Sequence, residues 1–226
     1  MNRKLMTLFA AITAFLAMAV VPALASASPV GTLQDHAGVT QGPGTLIIGT
    51  STNLKFTTNN GATIQCKTNT MTGEVTANTG HNFAGKITAA SFTGSGSSHT
   101  GAHCDSSLGL ATITPGNLPW CLTGVAGVET DTVTLDGCTE GKNIEFKATV
   151  TPFGFSVATC TFENTDHVVA SYVTNASPLV LTVKATTAGF KKLEGPESCG
   201  THGSLSGSFT LARDANGTAL KITNTT

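Results

Sequence analysis

Charge is scarce in this sequence: Asp, Glu, Lys and Arg make up 11% of the chain, against about 25% in an ordinary soluble domain. Lys and Arg come together only as the pairs Arg3-Lys4 and Lys191-Lys192, so no basic patch for nucleic acid or anionic lipid is visible. Flat, polar-edged rings are scarce too, with one Trp and one Tyr beside 11 Phe. Sugar clefts generally present such rings, whereas Phe suits a core. Compact catalytic signatures are missing. Gly203-Ser204-Leu205-Ser206-Gly207 puts Leu205 where a nucleophile elbow needs serine. No His-Glu-x-x-His, Walker loop or dinucleotide fingerprint occurs. Past residue 25 no segment reads as transmembrane and none sustains a helical period.

What is present starts with a leader. Arg3 and Lys4 precede an apolar run from Leu5 to Val21, followed by Pro22 and Ala23-Leu24-Ala25. Basic, apolar and small-residue regions in that order read as a signal peptide, and the run is shorter than the roughly 20 residues of a membrane span. Residues 1–25 are therefore expected to be removed on export, with Ala25-Ser26-Ala27 a second acceptable site. No Cys lies near the junction, which argues against a lipid anchor. Losing Arg3 and Lys4 leaves ten basic against thirteen acidic residues, a net charge of −3. The expected localisation is extracellular or at the cell envelope.

Six cysteines, Cys66, Cys104, Cys121, Cys138, Cys160 and Cys199, all lie beyond the leader. An even count in an exported chain reads as three structural disulfides, with 15 connectivities open. One internal correspondence narrows them. Cys66 sits in a strand-like run and is followed by Phe92 and then by Cys104 in a Gly/Ser loop; Cys160, Phe190 and Cys199 repeat that order. The spacings, 38 and 39 residues, predict Cys66–Cys104 and Cys160–Cys199, and by elimination Cys121–Cys138. A Cys66–Cys160 link would contradict this.

About forty Thr and 25 Gly, with few helix formers, favour a pleated, half-buried surface. Short alternating runs separated by turn residues predict an all-β, antiparallel β-sandwich, Ig-like or jelly-roll-like, of about a dozen short strands. Residues 26–45, with Pro29, Pro43 and several Gly but no apolar period, are expected to form a flexible arm. Residues 46–226 are expected to form the sandwich, as one domain or as two subdomains dividing near residue 140. Asn59-Asn60-Gly61 between Leu54–Thr57 and Thr63–Cys66 marks a tight hairpin. Asp214 to Gly217 marks a second, between Phe209–Leu211 and Ala219–Ile222. Further strands are expected around 73–77, 87–93, 110–114, 133–135, 144–150, 155–162, 168–173 and 179–185.

Few residues invite chemistry. His99, His103 and Cys104 fall within six positions, but the segment is Gly/Ser-rich and Cys104 is expected to be oxidised, so a solvated loop is read there rather than zinc. Glu129, Asp131, Asp136 and Glu140 form the local acidic cluster; without an Asp-x-Asp-x-Asp-Gly loop they read as a solvent-facing strand and turn rather than a calcium site. Lys191 and Lys192 read as a solvated turn. Neither a metal nor a cofactor is expected. Trp120, beside Cys121, is the candidate ligand contact if it is an exposed platform; the alternative is packing over the disulfide. Asn175-Ala176-Ser177, Asn216-Gly217-Thr218 and Asn224-Thr225-Thr226 match the glycosylation pattern and are read as chance matches in a Thr-rich chain.

Four features together resemble a group of secreted actinobacterial proteins without an assigned function: the strand ending Ile64-Gln65-Cys66, the strand from Ile87 to Thr93, Leu118-Pro119-Trp120, and Leu205-Ser206-Gly207 ahead of Gly217 to Ile222. Leu118-Pro119-Trp120 and the cysteine placement are also similar to small exported pseudomonad proteins described as activators of alkane oxidation. That second similarity covers about the first half of the mature chain, and the Cys160 to Cys199 segment departs from it. Both resemblances imply an exported β protein, and neither supplies catalytic residues. The expectation is a non-enzymatic extracellular or envelope-associated protein used for binding or surface structure, its partner a cell-envelope component or apolar extracellular material. The rival expectation is a secreted hydrolase of envelope polysaccharide or lipid, with two carboxylates converging in the fold.

Overall fold

The computed structural model describes residues 30–79, 82–94, 103–125, 131–151, 158–184, 186 and 189–225; the expected leader lies outside them. Within them run seventeen strands. The first six are β1 (Val30–Asp35), β2 (Leu46–Ser51), β3 (Leu54–Thr58), β4 (Thr63–Cys66), β5 (Thr68–Thr79) and β6 (Asn82–Thr93). Next come β7 (Cys104–Ser106), β8 (Gly109–Gly116), β9 (Trp120–Val125), β10 (Thr132–Gly137), β11 (Glu145–Thr151) and β12 (Ala158–Asn164). The last are β13 (Val168–Ser171), β14 (Leu179–Val183), β15 (Gly189–Glu194), β16 (His202–Ala212) and β17 (Leu220–Thr225). A 3₁₀ turn, Glu197–Cys199, precedes β16.

The expected antiparallel, sandwich-like, disulfide-stapled β class is what the structure shows, with more strands than expected. Its ladder closes on itself twice at β16, and a single β6–β8 pairing, Phe92 with Ile113, links the two closures. One ring runs β16–β2–β5–β6–β9–β10–β13–β14 and back to β16; the other runs β16–β15–β12–β11–β8–β7–β4–β3 and back to β16. Closure removes the unpaired edges that invite aggregation. Each ring draws strands from both sides of residue 140, so the rings are not sequential subdomains, and one hydrophobic cluster runs through both.

β16 belongs to both rings because its partners change halfway. Gly203 to Ser206 pair with β3, and His202 to Ser204 pair with β15. Gly207 to Leu211 pair with β14, and Thr210 to Ala212 with β2. At the handover Gly207 has φ +151°, a conformation L side chains rarely adopt, and a Cβ there would stand 3.0 Å from Leu54 Cα. The neighbouring strand breaks at the same level, between Ser51 and Leu54. There the Asn53 Oδ1 accepts the Ser208 N–H at 2.9 Å, filling the gap in the ladder.

The expected hairpin forms: β3 pairs β4, and Gly61 supplies φ +86°. At the chain's end the turn is also where expected, with Gly217 at φ +79° and an Ala212–Ala219 bridge. Beyond that bridge β17 does not follow β16. Both sides of β16 are already taken by β14 and β2, so β17 pairs in full with β1.

That pairing corrects the reading of 26–45 as an arm. Leu33, Leu220 and Ile222 are fully buried in the core cluster. Asn78 of β5 docks β1 by its side chain, donating to the Leu33 and Gln41 carbonyls at 2.8 Å each and accepting the Leu33 N–H at 3.1 Å. Arg213 Nη1 lies 2.9 Å from Asp35 Oδ2, so a buried carboxylate is paired rather than stranded. A single Leu in the run was too little apolar signal to announce this strand.

Candidate functional site

The two rings are filled differently. The β3–β4–β7–β8–β11–β12–β15 side holds Phe56, Phe146, Phe162 and Phe190, with Phe56 meeting the other three at centroid distances of 4.8–5.9 Å. Inside the other ring the side chains are mainly aliphatic, among them Ile47, Ile87, Leu122, Val133 and Leu181. Where the two fillings meet, the interior is not fully packed. Two adjoining hollows of about 60 Å³ each lie there, and every residue lining either is apolar or glycine. Four residues border both: Met71, Leu135, Val168 and Leu205.

Strand alternation explains these four. Leu135 and Val168 are cross-strand partners between β10 and β13, and Met71 and Leu205 lie in step with the inward-facing Asn69 and Phe209 of their own strands. Met71, Leu135 and Leu205 nevertheless remain only partly buried. All three line both hollows. Local patterning does not mark them out, because each reads as an ordinary core position.

Trp120 is 2% exposed, so it is not a surface platform, and it lines the first hollow. Nor does it share a face with the neighbouring disulfide. Successive side chains of a strand point to opposite faces: Trp120 and Leu122 point in, which turns Cys121 outward. The indole Nε1–H donates to the Gly116 carbonyl at 2.9 Å, which satisfies the one polar group Trp brings to the wall.

All three expected disulfides are present: Cys66–Cys104, Cys121–Cys138 and Cys160–Cys199. Bonds of this kind persist in oxidising compartments. Among the described residues no helix is long and apolar enough to cross a membrane, and no group of three His, Cys, Asp or Glu is placed to hold a metal ion. His103 Nδ1 meets Thr112 Oγ1 at 2.9 Å, Cys104 is oxidised, and His99 lies outside the described residues.

The acidic cluster disperses. Glu129 lies outside the described residues and Glu140 is exposed. Asp131 and Asp136 flank opposite ends of β10, about 16 Å apart at the rise of a strand. The Asp131 carboxylate accepts from the Thr174 backbone and hydroxyl. Burial together with the Asp131 charge pushes the nearby Tyr172 phenol up to about 12. Lys191 and Lys192 belong to strand β15 rather than a turn. Phe190 anchors that strand inside, while Lys191 Nζ pairs with Glu163 at 2.8 Å and Lys192 Nζ reaches the Gly195 and Pro196 carbonyls.

One polar constellation was not anticipated. His167 Nδ1 lies 2.7 Å from Asp136 Oδ2, and its Nε2 lies 3.9 Å from Asp166 Oδ1. Buried Asn164 donates to Asp136 Oδ1 at 3.3 Å and to the Asp166 carbonyl. Burial raises the Asp136 pKa, but hydrogen bonds from Gly137 N–H, Asn164 and His167 outweigh it and hold the carboxyl below its ordinary value. Two carboxylates thus flank an imidazole, but neither lies on the wall of a hollow. Because the folded state depresses this pKa, its stabilisation is complete above the ordinary Asp value near 4 and is lost as pH falls through the folded value. The urea midpoint of wild type should therefore fall more steeply than that of Asp136→Asn between about pH 5 and pH 3. Parallel curves would remove Asp136 from the acid response.

Comparison with family models, with curated proteins and with solved structures finds no match to this chain.

Proposed function

We propose that this chain is an exported, non-enzymatic binding protein of the extracellular space or cell envelope, and that its ligand is apolar. The observation that carries the reading is the pair of adjoining hollows, walled by apolar residues throughout. An apolar cavity stays dry, since water inside finds no hydrogen-bond partners, and it takes apolar guests in preference. Three disulfides and a leader-like first segment agree with export. A hydrolase would need acids converging on a cleft, and the Asp136–His167–Asp166 group instead stands at the surface, where the end of β10 meets the turn before β13.

Incubating the oxidised protein with an organic extract of cell envelopes, re-isolating it by gel filtration and analysing the bound material by mass spectrometry tests this. Apolar lipid retained near one equivalent per chain is the expected result. Turnover of an envelope polysaccharide or lipid ester with no lipid retained would overturn it in favour of the hydrolase.

A further inference from the structure

Resting on the apolar-binding reading, we infer that the ligand is an unbranched alkyl chain that threads both hollows through the waist formed by Met71, Leu135, Val168 and Leu205. Size comes first. Each hollow is about 60 Å³, far below the several hundred Å³ of a usual small-molecule pocket. A rigid multi-ring molecule cannot divide itself between two such spaces, whereas a flexible chain can. The four shared residues mean that the hollows adjoin at one place, bordered by the same side chains. Those side chains can yield: Met71 is unbranched and adapts its rotamers readily, and Leu135 and Leu205 already border free space. A chain one methylene wide needs such rotations and no change of backbone, whereas a compact guest of equal mass would have to part the strands.

Chemistry points the same way. Neither wall carries a charged or hydroxyl side chain. The Trp120 N–H is committed to Gly116, so a polar headgroup gains no partner by entering. Affinity must then come from methylene burial alone, which scales with chain length.

The experiment titrates the oxidised protein with hexanol, octanol, decanol and dodecanol, and with adamantanol, which has as many carbons as decanol in a compact cage. The readout is the fluorescence of Trp120, the one Trp of the chain, at the wall of the first hollow. Affinity is expected to rise about fourfold per added methylene, then level off once both hollows are filled, with adamantanol not binding. Adsorption to the outer surface would rise without a break and overturn the inference. Leu205→Trp fills the waist and is expected to abolish decanol binding. Should that variant not fold, Val168→Ile, one methylene larger at the same waist, is expected to weaken decanol about tenfold. Exposed Leu193→Ala is expected to leave it unchanged. Unchanged affinity in a folded waist variant overturns the proposed path. If adamantanol binds as well as decanol, the chain-shaped ligand is refuted while the apolar-binding reading stands. If no apolar probe binds, both fall.

Discussion

Replacing Phe56 with alanine is expected to destabilise the protein by about 3–5 kcal/mol, the range for deleting a buried phenyl ring, measured as a fall in the urea midpoint with little change in slope. Phe56 is buried and meets Phe146, Phe162 and Phe190 edge-on, so the loss combines its apolar area with three ring contacts. The space cannot close easily, because strands within a closed ring are paired on both sides. Opposite the ring lies Gly203, where a Cβ would stand 2.1 Å from Phe56 Cζ. Phe56 thus occupies room that exists because residue 203 has no side chain. Gly203→Ala alone is expected to be destabilising by about 1–3 kcal/mol through overpacking. In the Phe56→Ala background the same change meets a void and is expected to cost close to nothing. A double-mutant cycle reads this coupling directly. Additive losses would show that the two positions do not share the space.

How far the sequence announced this arrangement depends on whether the information was local. The β3–β4 hairpin was legible because Gly61, after Asn60, fits the positive φ the turn uses. The disulfides were legible because the two long-spaced pairs repeat one order of strand, Phe and loop. β1 was not: from Gly31 to Asp35 Leu33 is the one buried large apolar side chain, and the partner strand lies nearly 190 residues away. β15 was hidden by Lys191 and Lys192, two adjacent charges that interrupt the apolar alternation next to the inward Phe190. Ring closure was invisible for a similar reason, since it follows from the β14–β16 and β3–β16 ladders and from Gly207, none of which alters a local pattern. The hollows follow from a mismatch between an aromatic and an aliphatic filling on either side of that handover. Met71, Leu135 and Leu205 each obey ordinary alternation, so the void belongs to their assembly.

Removing the Cys160–Cys199 bridge with a paired serine substitution is expected to cost about 4 kcal/mol, against about 3 kcal/mol for Cys121–Cys138, from closed loops of 39 and 17 residues. Local structure should widen that gap. Cys121 and Cys138 staple two strands already held by a six-residue ladder from Thr132–Val125 to Gly137–Trp120, so the shorter bridge repeats a constraint that hydrogen bonds supply. Cys199 has no such ladder. It ends the 3₁₀ turn between β15 and β16; the bridge ties that turn to β12, and polar contacts such as Asn60 Nδ2 to the Ser198 carbonyl and the Thr201 N–H to Asn59 Oδ1, both 2.9 Å, tie it to the β3–β4 turn. With the bridge gone, amides around Cys199 should exchange with solvent far faster than the core strands, and urea midpoints should rank wild type, then the 121/138 pair, then the 160/199 pair. The reverse ranking would mean that the bridges act by native strain or by residual structure in the unfolded chain rather than by loop closure. In either order the Cys66–Cys104 pair offers an internal scale, because its 38-residue loop nearly equals that of Cys160–Cys199 while Cys66 also lines the first hollow. Any cost beyond about 4 kcal/mol there measures packing lost at the wall.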